Sequence, residues 1–124
     1  MRWQVAVAGV LCAIPVGIAA HHSIAGVYDR NRPATLEAVV REFQFVNPHP
    51  RIVVEVLDPS GEAQTWTLEM DNRWELAELG FTERTLEPGD RIVVRGSLGR
   101  RDPRALYVLR LEKPADDFTY EHHR

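Results

Sequence analysis

Apolar and polar positions fall into three regimes along the chain. Val5 to Ala20 is an unbroken apolar stretch, His21 to Ala34 shows weak periodicity, and from Thr35 onward apolar residues recur at every second position. Such alternation marks strands that turn one face to a core. Leu36, Ala38 and Val40 carry the first strand, after which the phase slips to Phe43 and Phe45. One extra residue near Arg41 and Glu42 produces that slip, and a bulge of this kind lets a sheet curl. Pro48 and Pro50 end the strand because neither can donate to a ladder. Ile52, Val54 and Val56 resume the alternation, Asp58-Pro59-Ser60-Gly61 is a turn sequence, and Trp66, Leu68 and Met70 form a third strand.

The period then changes. Asn72 with Glu75 three residues on fits a capping box, Trp74, Leu76, Ala77 and Leu79 have helical spacing, and Gly80 is a stop signal. Glu87-Pro88-Gly89-Asp90 reads as a type II turn. Ile92 and Val94 predict a fourth strand, Gly99 to Pro103 a basic loop, and Tyr107, Leu109 and Leu111 one face of a fifth. The predicted fold is mainly β, a small OB-fold-like five-stranded barrel with one short helix between strands three and four. Trp66 and Trp74 are assigned to its core.

The apolar run is shorter than the roughly 20 residues a membrane span needs. It begins almost at Met1 and ends in Gly17-Ile18-Ala19-Ala20, the pattern of a secretory signal peptide cut after Ala20 or Ala19. The predicted organisation is a signal peptide at 1–20, an irregular N-terminal arm at 21–34, the barrel domain at 35–114 and a C-terminal tail at 115–124. No membrane anchor remains after cleavage, so the expected location is periplasmic or secreted. The single cysteine, Cys12, leaves with the leader, which removes disulfides and thiolate ligands from the mature chain. About 100 residues then suffice for one domain. Fifteen basic side chains, one of them Arg2 in the leader, stand against 18 acidic ones. That balance and export argue against nucleic acid as a partner.

Five histidines carry the chemistry: His21, His22, His49, His122 and His123. Cleavage after Ala20 gives His21 a free α-amine beside its imidazole Nδ1, a chelating pair that no internal histidine offers. A second imidazole from His49 completes a T-shaped set of three nitrogens, a histidine brace, with His22 as a fourth ligand or as a residue supporting the ligands. Tetragonal nitrogen sites suit Cu(II), which also tops the Irving–Williams order. Cleavage after Ala19 instead places His22 third from the amine, another copper arrangement. His49 between Pro48 and Pro50 also has a simpler reading, a loop residue donating to a carbonyl. His122 and His123 read as part of a disordered tail, Asp71 as helix-start chemistry, and Arg95, Arg100, Arg101 and Arg104 as a solvated surface or an anion-binding rim. Ser23, Ser60 and Ser97 have no histidine at a spacing that suggests a hydrolase triad.

The stretches HHSIAGVYDRNRPATLEAVV, FQFVNPHPRIVVEV, WTLEM, LEPGDRIVVRG and DDFTY together resemble a family of small exported bacterial proteins known only as a domain of unknown function. The matching positions are His21, His22, Ser23, Asp29, Asn47, Pro48, His49, Pro88, Gly89 and Asp90. The resemblance implies a periplasmic or secreted OB-like domain with no assigned activity; the basic loop from Gly99 to Pro103 departs from it. The function expected from the residues is an exported Cu(II) carrier or buffer serving a copper-handling or envelope protein. Unprotonated amine and imidazole donors imply affinity that falls below about pH 6. The competing reading is a non-metal interaction module for an envelope protein or glycan. A copper-dependent oxidative enzyme ranks last, because it calls for a broad aromatic surface.

Overall fold

The computed structural model describes residues 23–123. The elements in chain order are α1 (Ile24–Val27), β1 (Tyr28–Gln44), β2 (Arg51–Leu57), β3 (Ala63–Glu69), α2 (Arg73–Glu78), β4 (Arg91–Gly99), β5 (Ala105–Lys113), a 3₁₀ turn (Pro114–Asp116) and β6 (Phe118–Glu121). The fold is mainly β, six strands in one sheet in the order β3-β2-β1-β4-β5-β6. These neighbours are antiparallel, and an additional parallel pairing of β3 with β5 joins the run from β3 to β5 into a ring.

The long first strand bends where its pattern slips: between Val40 and Glu42 its register against β2 shifts by one residue. Ala38 and Val40 before the bulge, with Ile52 and Val54 of β2, Leu68 of β3, Ile92 and Val94 of β4 and Leu106, Val108 and Leu111 of β5, fill one buried core. Each valine, leucine or isoleucine among them contributes about 1.5–3 kcal/mol by leaving water. Asn72 caps α2 by accepting from the Glu75 backbone N–H at 2.9 Å, and Leu76 is the residue of this helix that enters the core.

Several expectations are corrected. The segment from Tyr28 to Ala34 is not an irregular arm but the first part of β1, paired with β4 across a bulge between Asp29 and Pro33. Among the described residues a single helical turn, α1, precedes it. Six strands replace the expected five, because Asp117 takes a left-handed conformation and turns the chain so that β6 pairs with β5. Phe118 and Tyr120 on β6 pack edge-on against Phe81, so this part of the C-terminal segment is no tail. Trp74 is 73% exposed and does not belong to the core; the face of α2 that turns inward is the one carrying Leu76. Tyr107 and Leu109 do not share a face with Leu111. The Arg95–Arg110 pair is followed by Gly96–Val108, so Leu109 is the extra residue of a bulge. Tyr107 and Leu109 therefore pack with Tyr28, Ala105 and Ile24 in a second, smaller cluster beneath the arm.

Candidate functional site

The last turns of β3 gather the groups of interest. Glu69, Met70 and Asp71 follow one another where β3 leads into α2, and each contacts a different part of the chain. The Tyr28 hydroxyl donates to Glu69 Oε2 at 2.6 Å. The ring Nδ1 of His49 lies 3.0 Å from the Met70 carbonyl oxygen. His122 Nδ1 lies 3.0 Å from Asp71 Oδ2.

His49 is half-buried in the loop between β1 and β2. That loop is stitched to the β3–α2 junction: Met70 N–H donates to the Pro50 carbonyl at 2.9 Å and Arg73 N–H to the Pro48 carbonyl at 3.2 Å. Arg73 also donates through Nε to the Phe45 carbonyl at 3.0 Å and lays its guanidinium 4.5 Å above the Phe45 ring. Because a carbonyl oxygen only accepts, His49 Nδ1 carries the proton in its contact with Met70. In the neutral ring, that tautomer leaves the lone pair on Nε2, the nitrogen through which a histidine so held can ligate a metal.

The arm is fixed by Arg100. Its backbone N–H donates to the Val27 carbonyl at 2.8 Å, its Nε to the Ala25 carbonyl at 3.0 Å, and its Nη1 stands 3.5 Å from Asp29 Oδ2. Of the arginines considered as an anion-binding rim, Arg100 is thus committed to holding α1 and the start of β1. Tyr28 is buried, its ring 5.6 Å from that of Tyr107. Burial, then the hydrogen bond and negative charge of Glu69, push the Tyr28 phenol well above its ordinary pKa. Burial first and Asp71 second do the same to Tyr107. Both phenols therefore stay protonated donors at neutral pH.

The sequence reads His122 as tail and Asp71 as helix-start chemistry. Asp71 does serve the helix start, accepting from Asn72 N–H at 2.7 Å through Oδ1. Its other oxygen faces His122, whose side chain is only 15% exposed. The His122 N–H donates to the Leu109 carbonyl at 2.8 Å, and its ring meets Tyr107 edge-on at 5.7 Å. The Asp71 contact is close but off-axis: among the described residues His122 Nδ1 is buried without an aligned hydrogen-bond partner. The alternation Phe118, Tyr120, His122 is the sequence signal that marks this ring as turned toward the protein.

Between α1 and the sheet lies a cavity of about 180 Å³ whose wall includes Ile24, Tyr28, Arg30, Tyr107, Leu109 and His122. A larger open concavity of about 560 Å³, bounded by parts of β1, β2 and β4, is lined by none of the histidines among the described residues. His21 and His22 lie outside the described residues. Among the described residues no three His, Cys, Asp or Glu side chains converge on a point that could hold a metal. The sequence profile of a family of unknown function (DUF6152) matches residues 9–105. No curated protein matches the chain.

Proposed function

The chain belongs to that family of unknown function, which carries no activity; from its histidines we propose that it is an exported Cu(II)-binding protein, a carrier or buffer in the periplasm or outside the cell. Signal cleavage after Ala20 makes His21 the N-terminal residue. Its α-amine and Nδ1, together with His49, bind copper as a histidine brace, and His22 is a further ligand. The observation that carries the reading is the His49–Met70 contact, which leaves Nε2 as the ring nitrogen free to bind a metal. The strand ring β1-β2-β3-β5-β4, with a short helix between β3 and β4, supports reading the sheet as an OB-fold-like barrel that serves as a rigid mount.

Competition titration of Cu(II) against a chromophoric chelator tests this on the untagged exported chain. The expected result is one copper per chain, with affinity reduced at least tenfold by His49→Ala or by one glycine inserted ahead of His21, which removes the amine chelate. Binding indifferent to both changes overturns the brace.

A second reading, a non-metal interaction module, is favoured by Trp74 and Leu79, which stand 73% and 60% exposed on and just after α2. Exposed large apolar residues this close together fit a docking surface for an envelope protein or glycan. On that reading Trp74→Ala abolishes partner capture and His49→Ala leaves it intact.

A further inference from the structure

The sheet is interrupted on both sides of β4 at nearly the same level. On one side, β1 pairs Asp29 with Leu98 and then Pro33 with Ser97, which leaves Arg30, Asn31 and Arg32 looped out between them. On the other side, Leu109 is the extra residue of β5 between the Arg95–Arg110 and Gly96–Val108 pairs. Bulges re-aim side chains, and these two aim at one place: Arg30 and Leu109 both line the cavity of about 180 Å³ between α1 and the sheet. Ser97, on the strand between the interruptions, lines it as well. Among the described residues Ser97 is the one buried polar side chain, 4% exposed.

Charge and shape define what such a cavity takes. Among the described residues the ion pairs use Arg41, Arg100, Arg110, Lys113 and the His122 ring, and Arg30 is in none of them. Its neighbour Asp29 is committed elsewhere, accepting from Asn31 N–H at 3.0 Å through Oδ1 and facing Arg100 at 3.5 Å through Oδ2. Glu69 and Asp71 are not on the wall: Glu69 accepts from the Tyr28 hydroxyl, and Asp71 stands beside His122. Around the guanidinium and the Ser97 hydroxyl the wall is apolar or aromatic, with Ile24 and Ala25 on one side and Tyr107 and Leu109 on the other. A mostly apolar pocket with a few convergent polar groups is the usual form of a small-molecule site.

We propose that this cavity binds a small monocarboxylate, its carboxylate held by Arg30 and the Ser97 hydroxyl and its apolar body packed against Ile24, Tyr107 and Leu109. A guanidinium presents paired N–H donors that match the two oxygens of a carboxylate, and the hydroxyl supplies a further donor. An apolar cavity of about 150 Å³ accepts a benzene ring, so the body that fits here is one ring or a chain of about five carbons. Arg30 supplies one positive charge, and Glu69 and Asp71 behind the wall oppose a second negative one, which disfavours phosphate and dicarboxylates. The site uses none of the ligands of the copper reading and stands independently of it.

The test is isothermal titration of benzoate and hexanoate into the full exported chain, stripped of metal with EDTA. One molecule of acid should bind per chain, with the corresponding amides and inorganic phosphate at least tenfold weaker. Arg30→Gln should weaken the acids at least tenfold, the loss expected when a charged hydrogen bond is removed, and leave the amides unchanged. Ala25→Trp should close the cavity to acids and amides alike. Both substitutions fall on exposed residues, so the circular dichroism of each variant should match that of wild type. Acid binding that Arg30→Gln leaves unchanged, or that the amides or phosphate match, overturns the inference, as does the failure of both acids to bind.

Discussion

His49 and Met70 are joined by a 3.0 Å contact from a ring nitrogen to a backbone carbonyl, and the same carbonyl-bearing residue donates its own N–H to Pro50. The histidine is thus held by the residue that also holds its loop. Losing the ring costs one neutral hydrogen bond, about 1 kcal/mol. His49→Ala should therefore remain folded, with a slightly lower urea midpoint. A variant that fails to fold would make His49 a core structural residue and remove the basis for reading its copper loss as ligand loss.

Gly96 sits at the β4–β5 bulge, where a Cβ would stand 1.9 Å from the Tyr107 carbonyl oxygen. Nothing flexible can yield there, because the obstacle is backbone. Gly96→Ala should destabilise the domain by about 2 kcal/mol or more, read as a shift of the unfolding midpoint. An unchanged midpoint would mean that the close approach of β4 to β5 is wrong.

Leu111 is fully buried in the core while Trp74 is 73% exposed. Leu111→Ala should cost about 2–5 kcal/mol and Trp74→Ala no more than about 0.5 kcal/mol. Chemical denaturation of the two variants side by side decides it, and a larger loss at Trp74 would restore it to the core.

Asp58 organises the β2–β3 turn: Oδ1 accepts from the Ser60 hydroxyl at 2.5 Å and from the Ser60 and Glu62 backbone N–H groups at 2.8 and 3.0 Å. The Ser60 hydroxyl bond first, then the Glu62 N–H, hold its pKa down to about 2. A depressed carboxylate pKa stabilises the fold above the ordinary value near 4 and loses that contribution as pH falls toward the folded value. Asp58→Asn should flatten the dependence of stability on pH between about 4 and 2. A variant with the same acid slope as wild type would show that the turn does not hold the carboxylate.

The elements whose cause is local were legible in the sequence. The bulge near Arg41 showed as a phase slip, the Asn72 cap as a residue pattern, and Gly61, Gly80 and Gly89 as turn or stop signals that take positive φ. What stayed hidden depends on partners distant in the chain. Tyr28 to Ala34 contains Pro33 and no clean alternation, and becomes strand because β4 lies beside it. The Leu109 bulge reverses which face Tyr107 occupies, and its one residue signal, Gly96, lies on the neighbouring strand rather than beside Leu109. His122 reads as tail in the sequence because it stands close to the C-terminus; its contacts with Asp71 and Leu109 come from other elements. His49 was legible as a stiffly mounted loop residue, since its two prolines are local. Its meeting with Met70 was not.

The most direct measurement of the central claim is made on the protein exported by its own leader and purified without a tag: intact mass, followed by Cu(II) titration monitored by electron paramagnetic resonance from pH 8 to pH 5. The account predicts a chain beginning at His21 and one copper with at least three nitrogen donors. Binding should fade below about pH 6, as protons claim the amine and imidazoles. A chain that begins elsewhere, or one whose copper is weak, non-stoichiometric and indifferent to acid, contradicts it.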